Sequence, residues 1–186
     1  MIDSGTEFGE IPERWKVKRV EEMIQKIPTW KKYEKKTVFE KWNIPVLDQW
    51  KKWLIWYHND EPGVIASKED PIIVFANHTC YQNIIMHPFS TIQNVFWLKP
   101  NEEYPSDIYR LHYATKDLIE LNDYKGHFPE YIWKKVLYPW FDITNIFWNK
   151  ISSTIKLVYE LQKQNQNLKE TRDMLIPKLV SGEVEV

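Results

Sequence analysis

The residues whose side chains most clearly suggest a binding function lie in a lysine-rich segment of the N-terminal third. From Lys26 to Lys52 the chain carries eight lysines against three acidic residues, although the net charge of the 186 residues is only −1. Tryptophan and tyrosine are interspersed with the lysines, and long cations beside aromatic rings are typical of surfaces that contact nucleic-acid phosphates. A solvated lysine face over an aromatic core explains the same composition, so both interpretations stay open here.

Planar polar side chains within this segment and after it have the geometry to contact base edges. An Asn or Gln amide offers a donor and an acceptor in one plane, which a base edge can match. A histidine can fix its loop in place by hydrogen bonds to backbone groups, or it can contact a phosphate. Both roles are possible for His78 and for His127. The candidate DNA-binding residues are Lys31, Lys32, Lys35, Lys36, Asn43, Gln49, Lys51, Lys52, Asn77 and His78.

Catalytic chemistry has little support in the sequence. The five glycines are too scattered for an S-adenosylmethionine loop, and the P-loop of a nucleotide-driven motor is absent from the sequence. Glu34, Lys35 and Lys36 supply half of a metal-nuclease motif, which only Asp3 precedes. His78, Cys80 and His87 lack the spacing of a zinc site. We therefore predict a non-catalytic protein without a metal or cofactor.

Short β-branched or aromatic runs between proline, glycine and asparagine predict the strands that position these side chains. The predicted strands are residues 44–47, 64–66, 72–76, 84–86 and 95–98. A strand that runs into a helix is predicted at residues 15–24, and helices at 107–114 and 116–121. Residues 1–142 are therefore predicted to form one globular domain of the α+β class.

Residues 143–186 have the pattern of one long helix with a partner. Positions spaced alternately by three and four residues form a mainly apolar heptad seam between polar flanks. We predict a helix over residues 143–176, about 50 Å long, which Pro177 ends. A helix this polar on its other faces does not belong inside a globule, so the seam is predicted to pair with a second helix. The predicted dimerisation residues are Ile151, Val158, Leu161, Asn165, Leu168 and Leu175.

The overall composition excludes several classes of protein. A hydrophobic content of 43% with 10 tryptophans favours a packed core over disorder. A single cysteine excludes a disulfide framework and favours a reducing compartment. The apolar runs are all shorter than the 18 or so residues that a membrane-spanning helix needs. These observations predict a cytoplasmic protein that does not contact a membrane.

Four blocks of the sequence resemble the specificity subunits of type I restriction-modification enzymes, in the family's order. Residues 8–17 (Phe-Gly-Glu-Ile-Pro-Glu-Arg-Trp-Lys-Val) resemble the Gly-x-Ile-Pro-x-x-Trp entry to a target recognition domain. Residues 44–49 resemble its Ile-Pro-Val-x-Asp-Gln block, and residues 73–80 its Phe-Gly-(Asn/Asp)-His-Thr block, with Ala76 where Gly is usual. Residues 171–185 resemble the Arg-Asp-x-Leu-Leu-Pro-Lys-Leu-x-Ser-Gly-Glu-like tail.

This resemblance implies a division of labour. Residues 1–142 would be a DNA target recognition domain and residues 143–186 a helical spacer, with the chemistry left to methyltransferase subunits and to a restriction and translocase subunit that joins through the complex. Since a block common to the family cannot encode targets that differ, base reading is expected in residues 30–41 and 50–59. A full subunit has two domains and two spacers, so this sequence is either a natural half-subunit or the C-terminal half of a longer protein.

We therefore predict a subunit that recognises a sequence on double-stranded DNA and works as a homodimer. Antiparallel pairing of two spacer helices would place a recognition domain at each end, and a two-fold protein reads an interrupted palindrome. The alternative from a different class is a non-catalytic coiled-coil adaptor whose globular head binds protein.

Overall fold

The chain divides into two units in the structure, which is a computed structural model. It describes residues 1–28, 33, 43–49, 54–121 and 126–183. The globular unit is Met1–Asn145 and the helical unit is Ile146–Val186. The predicted α+β class with a long C-terminal helix is confirmed.

Short strands outnumber helices in the globular unit, and the longest helix of the chain comes last. The strands are β1 (Ile2–Asp3), β2 (Glu10–Ile11), β3 (Lys16–Arg19), β4 (Ile24–Ile27), β5 (Ile44–Leu47), β6 (Leu54–His58), β7 (Ile72–Ala76), β8 (Gln82–Ile85), β9 (Ser90–Thr91), β10 (Val95–Pro100) and β11 (Lys135–Tyr138). The helices are α1 (Val20–Met23), α2 (Ile108–Thr115), α3 (Phe128–Trp133) and α4 (Phe141–Ser181).

A four-stranded antiparallel sheet in the order β4-β10-β7-β8 forms the centre of the globular unit. All five residues of β7 are buried, so this sheet is covered on both faces. Because successive side chains of a strand point to opposite faces, Ile73 and Phe75 pack in a core with residues of α1, α2 and α3. Ile72 and Val74 pack in a second core with Leu47 and other residues of the opposite face.

A second, three-stranded sheet has the strand order β6-β5-β9, and it brings together segments that are distant in sequence. β5 runs antiparallel to β6 and parallel to β9, with Val46 opposite Ser90 and Leu47 opposite Thr91. The C-terminal ends of β5 and β9 therefore lie side by side. Two further pairs, β1 with β2 and β11 with β3, complete the strand pairing of the described residues.

A buried polar network joins β8 to α2 and α3. Gln82 Nε2 lies 3.1 Å from His112 Nδ1 and 3.0 Å from Thr115 Oγ1, and the Tyr131 hydroxyl donates to Gln82 Oε1 at 2.9 Å. Burial, with a smaller contribution from the charge of Lys116, lowers the pKa of His112 to about 4. His112 is therefore neutral at pH 7 and can accept a hydrogen bond from the Gln82 amide.

Most strand predictions are confirmed, but two elements were predicted wrongly. Residues 64–66 are not a strand, because only Val64 pairs, in a single bridge to Phe89 between turn residues on either side. Residues 116–121 are not a helix. Lys116 is extended and Asp117 has a φ of 62°, so α2 ends at Thr115. This turn allows Ile119 to join the core. The burial of Ile119 therefore outweighs the helical propensity of residues 116–121.

Helix α4 is longer at both ends than predicted and continues through Pro177. It contains 41 residues, or about 60 Å at 1.5 Å per residue. The prediction that Pro177 ends the helix is wrong. Gly182 ends it instead: its φ is +76°, its N–H donates to Leu179 O, and the Glu183 N–H donates to Lys178 O. These two bonds form a Schellman motif. Among helices in the described ranges, none is long and apolar enough to cross a membrane.

Candidate nucleic-acid interface

Three turns meet at one end of the central sheet. The first is the pair of residues that follows β5 (Asp48 and Gln49), the second is the β7–β8 turn (residues 77–81), and the third is the β9–β10 turn (residues 92–94). They meet because Ala76, the last residue of β7, pairs with Val95, the first residue of β10, while β5 ends beside β9. We call these residues the turn cluster.

Gln49 joins the other two turns of the cluster. Its side-chain Nε2 donates to Gln93 O at 2.9 Å, and its backbone carbonyl accepts a hydrogen bond from the Thr79 hydroxyl. Its side-chain Oε1 is buried without a hydrogen-bond partner among the described residues. The predicted base reader is thus half-buried, and its amide nitrogen bonds to the protein itself.

Asn77 connects the β7–β8 turn to α3 and to the β9–β10 turn. Its side-chain Oδ1 accepts from the Phe128 N–H at 2.7 Å, its N–H donates to Asn94 O at 3.0 Å, and its carbonyl accepts from the His127 N–H at 3.4 Å. Three backbone segments are therefore held by this one half-buried residue.

His78 is exposed, and its contact is with a side chain rather than with the backbone. Asn94 Nδ2 donates to His78 Nε2 at 3.3 Å. Asn94 has a φ of 61° and Cys80 a φ of 54°, so a non-glycine residue adopts the left-handed conformation in each of these turns. Such conformations are over-represented at functional sites, where the surrounding structure holds them in place.

His127 lies outside the surface of the cluster. Its side chain is only 1% exposed, and neither ring nitrogen has a hydrogen-bond partner within the described residues. The buried ring cannot contact a phosphate in this conformation. The alternative role, a hydrogen bond from the ring to backbone, is also absent from the described contacts.

Asn43 does not join the turn cluster. It lies just before β5, whereas Gln49 lies just after it, and its exposed backbone N–H donates to Asn59 Oδ1 at 3.4 Å. The structure thus brings Gln49, Asn77 and His78 together and leaves Asn43 at the other end of the strand. The six predicted lysines lie outside the described residues: Lys31, Lys32, Lys35, Lys36, Lys51 and Lys52.

Tyr33 marks where the lysine-rich segment attaches to the fold. Its backbone N–H donates to Thr91 O at 3.2 Å, its ring stacks on His58 with centroids 4.1 Å apart, and its hydroxyl donates to Asp60 at 3.1 Å. Tyr33 is thereby anchored to Thr91 of β9, which lies two residues before Gln93. The Tyr33 side chain is buried, which for this residue agrees with the interpretation of an aromatic core beneath the lysines.

Gln93 and Asn94 are the residues of the cluster that sequence reasoning missed. Both are exposed, and they stand between the half-buried Ile92 and the buried Val95. A pair of polar amides between two apolar residues is the signal that indicates such a turn.

The cluster has the chemistry of hydrogen bonding rather than of catalysis. Its side chains offer amides, an imidazole and a hydroxyl for hydrogen bonding. The pKa of the Cys80 thiol is raised, mainly by burial and to a smaller extent by the charge of Glu130. His87 follows β8, at the strand end away from Cys80. In the part of the chain that the structure describes, no group of three or more His, Cys, Asp or Glu side chains is arranged to hold a metal ion.

Helix α4 carries the predicted dimerisation residues on a continuous helix. Val158, Leu161, Leu168 and Leu175 are each between 39% and 65% exposed. Ile151 is half-buried and Asn165 is exposed. The heptad spacing therefore lines these residues along one face of the helix.

Comparisons with known proteins find a likeness of fold without a likeness of sequence. No family model matches the sequence, and no curated protein matches it. The S subunit of a type I restriction-modification system from M. genitalium matches with a TM-score of 0.65 and 12% identity. The match covers 90% of this chain and 46% of that one. The chain has the fold of a type I S subunit. The resemblance that the four sequence blocks indicated is confirmed at this level.

Two further solved structures are matched more loosely. The HsdS subunit from Thermoanaerobacter tengcongensis has a TM-score of 0.49 and 13% identity, over 96% of this chain and 48% of that one. A chain from a study of type I R-M complex assembly has a TM-score of 0.48 and 13% identity, over 91% of this chain and 46% of that one. The chain spans about half the length of the solved structures that it matches.

Proposed function

We propose that this chain is a specificity subunit, or half of one, of a type I restriction-modification complex. In this role it recognises a sequence on double-stranded DNA with its globular unit, assembles through α4, and leaves methylation and cleavage to other subunits. The observation that carries the proposal is the fold, which an S subunit shares over 90% of this chain. We assign residues 1–142 to recognition and residues 143–186 to assembly.

The turn cluster supports DNA recognition by the globular unit. Gln93, Asn94 and His78 present exposed hydrogen-bonding groups side by side, as base-edge recognition requires. Tyr33 lies between Lys32 and Lys35 in sequence and Gln49 lies two residues before Lys51, and both are bonded to the region of the β9–β10 turn. We assign to the lysines of this segment the sequence-independent phosphate contacts.

Pairing of α4 with a second copy explains the exposed apolar seam. The side chains of Val158, Leu161 and Leu168 are about half exposed or more, and a seam of this width suits a two-helix coiled coil. Antiparallel pairing would relate the two copies, and with them their globular units, by a two-fold axis. The DNA target of such a dimer is an interrupted palindrome.

Apolar residues beside the seam support further helical partners. At 100° per residue, Ile146 and Leu157 fall on one side of it and Ile176 and Val180 on the other, and all four are exposed. A stripe this broad is wider than one partner helix covers and is typical of a helix packed against several neighbours. We assign these flanks to methyltransferase subunits, through which the restriction subunit would join.

A mobility-shift experiment with a pool of randomised duplexes tests the proposal. We expect a retarded complex from which a subset of sequences is enriched, and stronger retention when a type I methyltransferase subunit is added. The absence of a retarded complex under both conditions would contradict DNA recognition. If the globular unit retained a protein partner instead, the adaptor interpretation would replace this one.

A further inference from the structure

The backbone of the β9–β10 turn is held by the rest of the fold at each of its three residues. The Ile92 N–H donates to Leu47 O at 3.2 Å, Gln93 O accepts from the Gln49 amide at 2.9 Å, and Asn94 O accepts from the Asn77 N–H at 3.0 Å. The partners come from β5, from the second residue after it and from the β7–β8 turn. A turn fixed in this way presents its side chains from a preorganised backbone.

The side chains of this turn divide sharply between core and solvent. Ile92 packs against the core cluster that contains Trp97, and Val95 is only 3% exposed. Between them, the Gln93 and Asn94 side chains point into solvent. Apolar residues thus anchor both ends, and the two planar amides are presented together at the tip.

The amides at the tip are more available than the amides that support it. The side-chain nitrogen of Gln49 donates to Gln93 O, and the side-chain oxygen of Asn77 accepts from the Phe128 N–H. Among the described residues the Gln93 amide makes no hydrogen bond to the rest of the fold, and the Asn94 amide bonds only to the exposed ring of His78. The left-handed φ of 61° at Asn94 turns the chain between these two side chains and β10.

We propose that Gln93 and Asn94 form the base-reading tip of the protein, while Gln49 and Asn77 are positioning residues that hold this tip. A Gln or Asn amide can donate and accept in one plane, which matches N6 and N7 of adenine in the major groove. The tip is therefore expected to select A·T base pairs at one or two adjacent positions of each half-site. This inference rests on the proposed function, because it assigns a role within DNA recognition.

Substitutions at the tip can be chosen so that its backbone contacts remain. Gln93→Ala keeps the carbonyl that accepts from Gln49. Asn94→Gly keeps the carbonyl that accepts from Asn77, and glycine adopts a positive φ readily. Gln25→Ala is the matched control, since Gln25 is an exposed glutamine on β4, and thermal unfolding of each purified variant verifies folding.

The readout is the set of sequences that each full-length variant enriches from randomised duplexes. We expect Gln93→Ala and Asn94→Gly to lose about 10-fold or more of the discrimination at one or two adjacent base pairs, with unchanged affinity for unselected duplexes. Gln25→Ala should keep the wild-type preference. Gln49→Ala should weaken discrimination at the same base pairs as Gln93→Ala, because its amide acts through the Gln93 backbone.

Three results would overturn the inference while leaving the proposed function in place. Tip variants that keep the wild-type preference at every position would show that other residues read the bases. Tip variants that weaken all duplexes equally would assign the turn to phosphate contact. If Gln49→Ala changed the preference at a different base pair, Gln49 itself would be a reader. A wild-type protein that selects no sequence would instead refute the proposed function, and the inference with it.

Discussion

The central sheet and helix α4 place their apolar residues in opposite environments. In β7 every residue is buried, and the sheet has a core on each face. In the described part of α4 beyond residue 160, every residue is exposed, including four leucines, Ile176 and Val180. The globular unit therefore buries its apolar surface within itself, whereas the helix leaves its apolar surface exposed.

The difference indicates where the stability of each region originates. Burial of apolar surface is the dominant favourable contribution to folding, and the globular unit has this contribution without a partner. Most helical stability in proteins comes from packing an apolar face rather than from helical propensity. The helix is consequently expected to depend on association, and the globular unit is not.

Breaking the seam should produce the largest effect. We expect Val158→Asp combined with Leu161→Asp to weaken self-association by about 100-fold or more, because the carboxylates of both copies would be desolvated in an apolar stripe. Sedimentation equilibrium measures the association. The globular unit should keep its thermal unfolding transition.

The control for this variant places the same charges on the opposite face of α4. Ser152→Asp with Asn167→Asp should leave the association unchanged, since both positions lie away from the seam by helical spacing. An unchanged dimer in the seam variant would refute this mode of assembly.

Removing the buried network should affect the globular unit alone. Gln82→Ala leaves the buried hydroxyl of Tyr131 and the groups of α2 without their partner, which lowers the free energy of unfolding by about 3 kcal/mol. The melting temperature of the globular unit should fall by about 10 °C, and self-association through α4 should not change. The exposed Gln25→Ala is the control. Equal melting temperatures for the two variants would show that the network contributes nothing.

A smaller effect should follow from pH. The pKa of His112 is about 4 in the folded protein against 6.5 when unperturbed, so below pH 6.5 the unfolded chain binds a proton that the folded protein does not. The stabilising contribution is present above pH 6.5 and is lost as the pH falls towards 4.

We expect the difference between pH 7.5 and pH 5 to be about 2 kcal/mol. Urea unfolding of the wild type and of His112→Asn at both pH values isolates this contribution, because the asparagine keeps a hydrogen-bond acceptor without a titrating ring. The same pH dependence in both proteins would contradict the assignment to His112.

Local sequence patterns predicted the elements better than the contacts between them. The runs at β5 and β7 are β-branched and bounded by turn residues, and both strands were found where predicted. The end of α4 was predicted wrongly because Pro177 was given more weight than Gly182, whose backbone makes the actual end. A proline near the end of a long helix removes one hydrogen bond and does not prevent the last turn.

The candidate site was predicted only in part because its contacts join distant positions. Gln49 meets Gln93 across 44 residues, and Asn77 meets Phe128 across 51. A pattern of residue types cannot show which amide is used to hold the backbone and which is left exposed. Gln93 and Asn94 therefore became candidates only when their burial and partners were known.

The symmetry of the selected DNA tests most directly the claim that the globular unit reads and the helix pairs. Sequences should be enriched from randomised duplexes with the wild type and with the Val158→Asp, Leu161→Asp variant, each in the presence of a type I methyltransferase subunit. The account predicts an interrupted palindrome for the wild type and a single half-site, of the same sequence, for the seam variant. An asymmetric wild-type target, or the same palindrome from both proteins, would contradict it.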